Sequence, residues 1–258
     1  MQASIAIDTP ACITSSLFPI VQTPAQGVDM KYELRKFYET GNQVNDDPVV
    51  CVFEDFLDAE EIDALLAAAK PKLKQALVSA EKSGVESAGR SGSNCWIPHG
   101  LNPVVEELSL RVAEVVGIGL EYAESLQVVY YAESQQYAPH FDAWDANTER
   151  GQRCMAKGGQ RMVTCLLYLN EPEQGGGTSF PNLDMEVRAK KGRMLLFHNC
   201  HANSVVRHPD SLHGGMPVLQ GEKWACNFWF REREYQPAGS VPTRKKDLPE
   251  TPSFSRVI

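Results

Sequence analysis

A chain of 258 residues with 43% hydrophobic and 22% charged side chains has the balance of a globular protein and can bury a sizeable core. Its formal charge of −8 opposes general binding to nucleic acid, whose phosphates demand a basic surface, although a local basic groove is compatible with that total. The seven cysteines (Cys12, Cys51, Cys95, Cys154, Cys165, Cys200, Cys226) are odd in number and form no C-x-x-C pair, which points to free thiols in a reducing compartment rather than a disulfide framework.

The first residues, Met1 to Ile5, lack a basic segment followed by a continuous apolar run, and no uncharged apolar stretch approaches a membrane span. The expectation is a soluble, cytoplasmic protein with neither membrane nor nucleic acid as partner. A weak organelle-targeting role for the first thirty residues stays open. Residues 1–47 carry little periodicity and read as an arm, partly irregular. A single domain is expected over 48–235, with helical support at 58–117 and a strand-rich core at 126–232. Residues 236–258, with several prolines and Arg244-Lys245-Lys246, read as a solvated tail.

Within the domain, Val49 to Phe53 is a strand signal. Asp58 with Glu61 three residues later reads as a capping box, followed by Ile62, Leu65, Leu66 and Ala69 at helical spacing and by Pro71 just beyond. Residues 79–95 are rich in Ser and Gly and are expected to form a mobile loop. Asn102-Pro103 opens a second helix whose apolar face is Val104, Val105, Leu108, Val112, Val115 and Val116, with Gly117 near its stop. From Leu126 the period changes to strands: 126–132, 162–169, 186–189, 193–198 and 223–231. Residues 143–160 are polar and read as a lid. Helices first and many short strands afterwards predict an α+β fold, a double-sheet jelly roll buttressed by the N-terminal helices.

The chemistry concentrates in two blocks. In Tyr137-Ala138-Pro139-His140-Phe141-Asp142, His140 and Asp142 lie two apart, so a strand presents both on one face. An imidazole and a carboxylate are half of a metal site. About seventy residues later His213 offers a second imidazole, and a turn leads to Lys223 at the start of an alternating strand. Two histidines and one carboxylate on one side of an iron leave positions open for a cosubstrate and oxygen. His198, His201 and His208 compete for the third-ligand role, and His198-x-Cys200-His201 could in principle bind zinc. Only His213 stands ahead of the Pro217–Gly221 turn and the Lys223 strand, so the others are read as loop or rim histidines, and His99 as structural or exposed. If Trp224, Cys226, Phe228 and Phe230 pack outward, Lys223 points inward, where a buried ammonium needs an anion such as a dicarboxylate. A hydroxyl from Thr164 is expected to complete that carboxylate's hydrogen bonds.

These blocks, with Leu126 to Tyr131, Arg161 to Leu169, Gly175-Gly176-Gly177-Thr178-Ser179-Phe180-Pro181 and Lys190-Lys191-Gly192, resemble the 2-oxoglutarate- and Fe(II)-dependent dioxygenases, and more closely the prolyl 4-hydroxylase group, across residues 49–232. The resemblance implies a double-stranded β-helix (cupin-like), with His140, Asp142 and His213 as iron ligands. It implies Lys223 as partner of the cosubstrate's distal carboxylate with Thr164 as its helper, Tyr131 reaching the cosubstrate, and Tyr137 as a packing residue. The implied cofactors are Fe(2+), with 2-oxoglutarate and O2 as cosubstrates and L-ascorbate to keep the iron reduced. The loop at 199–212 departs from the family pattern in carrying His201 and His208. Retention of Asp142 argues against halogenation, which leaves that iron position to chloride. Arg90, Trp96, Trp144 and Arg161 are the candidate substrate contacts. The first expectation is hydroxylation of a prolyl residue in a protein or peptide; the alternatives are a hydroxylase of a free amino acid or other small molecule, and a non-catalytic cupin-like metal-binding module. DNA or RNA demethylation is disfavoured by the acidic balance.

Overall fold

The computed structural model describes residues 32–75, 78–79, 84–85 and 91–236. In chain order the elements are β1 (Asn42–Asp46), β2 (Val49–Phe53), α1 (Ala59–Ala69), β3 (Lys74–Gln75), β4 (Val78–Ser79), β5 (Gly84–Val85), β6 (Ser93–Ile97), α2 (Pro103–Val116), β7 (Leu126–Tyr131) and β8 (Tyr137–His140). There follow α3 (Glu149–Met155), β9 (Arg161–Tyr168), β10 (Gln174–Gly175), β11 (Thr178–Phe180), β12 (Met185–Val187), β13 (Met194–His198), β14 (His213–Gly215), β15 (Val218–Gln220) and β16 (Lys223–Arg231). An eight-stranded antiparallel sheet runs β1-β2-β13-β9-β16-β7-β6-β3, and a four-stranded sheet runs β12-β11-β14-β8. Phe180 and Val187 of the small sheet pack against Val50, Leu166, Leu195 and Phe197 of the large one, so the two sheets face each other. This is the expected double-stranded β-helix.

The helices form where their end signals lie. The Asp58 side chain accepts from the Glu61 amide at 2.9 Å while the Glu61 carboxylate accepts from the Asp58 amide at 3.0 Å, which completes the capping box. Asn102 caps α2 through the Val105 amide at 2.9 Å, Pro103 fills the first turn, and Gly117 ends the helix with φ +77°, a left-handed conformation that glycine adopts without a Cβ penalty. Both helices pack on the outer face of the large sheet: Ile62, Leu65, Leu108 and Val112 meet Phe53, Ile97, Val128, Leu167, Phe228 and Phe230. Each such side chain contributes about 1.5–3 kcal/mol by leaving water.

The structure sharpens three expectations. The arm read through residue 47 already holds β1, paired antiparallel with β2, and buries Leu34 and Tyr38; residues 1–31 lie outside the described residues. Of the loop read over 79–95, residues 93–95 belong to β6, paired with β7 and burying Cys95 and Ile97. There tertiary pairing overrides a Ser/Gly-rich composition. Within the same stretch Val78–Ser79 and Gly84–Val85 pair as a two-stranded ribbon. The 143–160 segment contains a helix, α3, capped by Thr148, whose hydroxyl accepts from the Gly151 amide at 3.0 Å. Most of the tail, from residue 237, lies outside the described residues. Among the described cysteines six are free thiols, five of them buried. Among the described residues no helix is long and apolar enough to cross a membrane.

Candidate active site

The site is built by strand register. His213 on β14 pairs directly with His140 on β8, which sets their rings 4.5 Å apart between centroids. Asp142 follows two residues after His140, and the ligand atoms of the three side chains lie within 4.8 Å of one another. The Nε2 atoms of His140 and His213 are 3.7 and 3.5 Å from the Asp142 oxygens. Each imidazole turns its Nδ1 to a backbone carbonyl, His140 to Ala138 at 3.0 Å and His213 to Ser211 at 2.9 Å. Donation of Nδ1–H to those carbonyls leaves both Nε2 lone pairs aimed at the shared space, the tautomer a metal requires. Burial brings the pKa of His213 down to about 4, so its ring is neutral near pH 7. Burial alone would raise Asp142, but the imidazoles of His213 and His140 and the guanidinium of Arg161 outweigh it and hold the carboxylate well below its ordinary range. Two imidazoles with their Nε2 lone pairs converging on an ionised carboxylate are a donor set suited to Fe(II), with one side left open.

Packing fixes this set in place. Tyr137 stacks on His140 at 3.6 Å between centroids, and Phe197 lies 4.5 Å from His213. Asp142 Oδ2 accepts two hydrogen bonds, from Thr164 Oγ1 and from Trp229 Nε1, both at 2.8 Å. Asn199 Nδ2 in turn donates to Thr164 Oγ1 at 2.8 Å.

At the other end of the cavity stands Lys223. On β16 the residues alternate as expected: Trp224, Cys226, Phe228 and Phe230 join the core under the helices, while Lys223, Ala225, Asn227, Trp229 and Arg231 line the cavity. Lys223 is 3% exposed, and its ammonium has only the Gly177 carbonyl at 3.4 Å and the Tyr168 ring at 5.4 Å as partners among the described residues. With no acid against it, burial brings its pKa down to about 7. An anion seated there would restore the charge. Tyr131 is directly cross-strand from Lys223, so both side chains share the inner face.

Thr164 is a correction. It pairs with Trp229, six positions along β16 from Lys223, which is about 20 Å at 3.3 Å per residue. Its hydroxyl serves Asp142 instead. The hydroxyls beside Lys223 are those of Thr178, next to Gly177, and Tyr168, which hydrogen-bond each other at 2.7 Å. The run Gly175-Gly176-Gly177-Thr178 held that signal: Gly175 and Gly176 take φ +75° and +70°, left-handed conformations that favour glycine, in the turn that brings Gly177 and Thr178 beside Lys223.

The substrate candidates divide. Trp144, Arg161 and the exposed Trp96 line the same cavity, of about 430 Å³, as the His–Asp–His set and Lys223. Arg161 lies over Trp229 at 3.7 Å and Trp144 at 4.8 Å, donates twice to Glu124 at 2.6 and 2.8 Å, and comes within 3.8 Å of Asp142. Arg90 lies outside the described residues. Trp229 and Arg231 were missed, although their two-residue spacing from Lys223 along one strand is a signal for them. Glu124 was missed because nothing in its local sequence marks it. The competing histidines lie outside the set: His201 and His208 sit in the 199–212 loop as expected, their rings tilted at 4.2 Å with His208 buried, whereas His198 is no loop or rim residue but ends β13, buried against Tyr38 Oη at 3.0 Å. His99 stacks on Phe228 at 5.0 Å.

Comparison with known proteins agrees with this geometry. Residues 126–231 match the family model described as the 2OG-Fe(II) oxygenase superfamily. Prolyl 4-hydroxylase 5 of Arabidopsis thaliana is 33% identical over 213 residues, covering 74% of this chain and 70% of that one. A protein of Acanthamoeba polyphaga mimivirus named as a prolyl 4-hydroxylase is 39% identical over 153 residues, but the chain spans only 63% of its length. Among solved structures, the viral collagen prolyl hydroxylase of Paramecium bursaria Chlorella virus-1, in its 2OG complex, superposes with a TM-score of 0.56 at 27% identity, covering 70% of this chain and 95% of that one. With that match to an iron- and 2-oxoglutarate-dependent architecture and the site that sits within it, the chain belongs to the 2OG-Fe(II) oxygenase superfamily as a prolyl 4-hydroxylase-like enzyme.

Proposed function

We propose that the chain hydroxylates a prolyl residue of a protein or peptide, with His140, Asp142 and His213 holding Fe(II) and Lys223 holding the distal carboxylate of 2-oxoglutarate. The observation that carries this reading is one cavity with two imidazoles and a carboxylate set in its wall and a buried ammonium that has no acid against it among the described residues. Bound there, iron and 2-oxoglutarate supply the oxygen chemistry: 2-oxoglutarate, O2 and a C–H bond become succinate, CO2 and a C–OH group.

The protein's own part is orientation and exclusion of water. Lys223 and Tyr131, with Thr178 and Tyr168 nearby, recognise a carboxylate at the inner end. Thr164 and Trp229 hold Asp142 Oδ2 by two donors, which limits rotation of that carboxylate. Trp144, Trp229 and Arg161 offer flat apolar and cationic surfaces over which a proline ring and its flanking peptide groups can lie. A reductant such as ascorbate is expected to sustain turnover, and a reducing, cytoplasmic setting suits the free thiols.

The experiment is succinate formation from 2-oxoglutarate by anaerobically Fe(II)-loaded protein given oxygen, with and without a proline-rich peptide, beside His140→Ala. Peptide-stimulated, metal-dependent turnover that His140→Ala abolishes is expected. Turnover indifferent to every prolyl peptide would move the substrate to small molecules, and absence of any turnover would refute the catalytic assignment of these residues.

A further inference from the structure

The cavity wall beyond the triad is basic in a chain whose net charge is −8. Setting aside Lys223 and Asp142, the described residues lining it include Arg150, Arg153, Lys157, Arg161 and Arg231 against one acid, Glu124. Glu124 is engaged by Arg161 through two hydrogen bonds at 2.6 and 2.8 Å. Arg231 is 1% exposed, yet its nearest acid atom is that same Glu124 oxygen at 3.6 Å from Nε, beyond hydrogen-bond length. Among the described residues its side chain makes one hydrogen bond, Nη2 to the Cys154 carbonyl at 2.8 Å, and Nε and Nη1 have none. The guanidinium plane is steadied by Trp144 at 4.5 Å and Tyr235 at 5.6 Å.

A buried guanidinium with two idle donors is costly unless an anion meets it. We propose that Arg231 binds a carboxylate of the substrate, carried close to the carbon to be hydroxylated, so that this enzyme selects acidic substrates. The inference rests on the hydroxylase reading above and adds the charge of its substrate. Burial also brings the Arg231 pKa down to about 10, as a cation lacking an acid of its own does. Arg231 lies two residues past Trp229 on the same face of β16, about 7 Å along the strand, and Trp229 holds Asp142. In an extended peptide that distance is one or two residues from the reacting position, within reach of a neighbouring Asp or Glu or of a free C-terminal carboxylate.

The test uses the full chain with a panel of proline-containing substrates: end-capped peptides with neutral, Asp/Glu or Lys flanks, a peptide ending in free proline, and free L-proline. Turnover is measured for the native protein, Arg231→Met and Arg231→Lys, and binding of the same panel is measured calorimetrically with Zn(II) and 2-oxoglutarate, so that affinity is read without turnover. The expected result is a preference for carboxylate-bearing substrates on the order of 10- to 100-fold, lying mainly in KM or Kd, as a charged hydrogen bond provides. Arg231→Met should erase it and Arg231→Lys should keep part of it. Preference for Asp/Glu flanks assigns the carboxylate to a peptide side chain; preference confined to free proline or the free C-terminus assigns it to the backbone terminus, and either supports the proposal. Equal kcat/KM and Kd for acidic and neutral substrates, or a preference unchanged in Arg231→Met, would overturn it. Should no prolyl compound turn over, the hydroxylase reading fails on its own, and the binding series still decides: discrimination that depends on Arg231 supports carboxylate recognition, and lack of it refutes it. If Arg231→Met does not fold, Arg231→Lys and the native flank series decide the question by the same criteria.

Discussion

The two faces of β16 place opposite demands on the same nine residues. Its outer face, Trp224, Cys226, Phe228 and Phe230, is apolar and fully covered by the helical layer, so every contact there favours the folded state. Its inner face, Lys223, Asn227, Trp229 and Arg231, places polar groups where burial is costly and leaves two cations without acids of their own among the described residues. Stability is concentrated on one side of the strand and recognition on the other. Substitutions on the two faces should therefore separate folding from activity.

The largest effect is expected at the triad. His213→Ala should lower turnover by well over 100-fold, beyond the roughly 10- to 100-fold typical of residues that merely support a metal ligand. Its Tm should stay close to that of the native protein, as thermal unfolding of the metal-free chain will show. Phe228→Ala, on the opposite face, should do the reverse: a loss of about 3–5 kcal/mol in denaturant unfolding, with kcat of the folded fraction preserved.

Lys223→Met sharpens the comparison because it should move both quantities in opposite directions. Affinity for 2-oxoglutarate should collapse while the cosubstrate-free protein gains stability. The sign follows from the pKa of about 7 against an ordinary 10.5. Between those values the unfolded chain binds the extra proton, so native stability rises with pH across that window, and the cost of Lys223 is fully present below pH 7. The variant's advantage, a few kcal/mol at most, should be greatest at and below pH 7 and vanish towards pH 10.5 in urea titrations. Binding of 2-oxoglutarate to the native protein at pH 8 should take up protons, which calorimetry in two buffers of different ionisation enthalpy would detect.

Thr164→Val is the next smaller step. It removes one of two donors on Asp142 Oδ2 and strands the Asn199 amide, so metal affinity should fall about 10- to 100-fold with the 2-oxoglutarate KM at saturating metal unchanged. A selective rise in that KM would return Thr164 to the cosubstrate end. The mildest change is Asp58→Ala, which breaks the capping box of α1 and should cost about 1 kcal/mol of stability without touching kinetics.

Where chemistry depends on local spacing, the sequence by itself was sufficient. Asp58 with Glu61, Asn102-Pro103 and Gly117 marked both supporting helices, and the alternation from Lys223 to Phe230 predicted which side chains pack outward and that Lys223 faces inward. His140 and Asp142 could be read because two residues on a strand share a face. What spacing could not reach was decided by register between distant strands. β9 against β16 takes Thr164 to Trp229 and not to Lys223, and β14 against β8 sets His213, which the turn before the Lys223 strand had already marked, directly beside His140. The strand β6 exists because β7 offers a partner, whatever its Ser/Gly-rich approach suggests. Glu124, joined to Arg161 from 37 residues away, and Arg231, buried without an acid of its own, acquire their meaning only once the sheets close. The physical reason is range: caps and periodicity act within a few residues, whereas ion pairing, burial and a shared metal site depend on segments that meet only in the folded state.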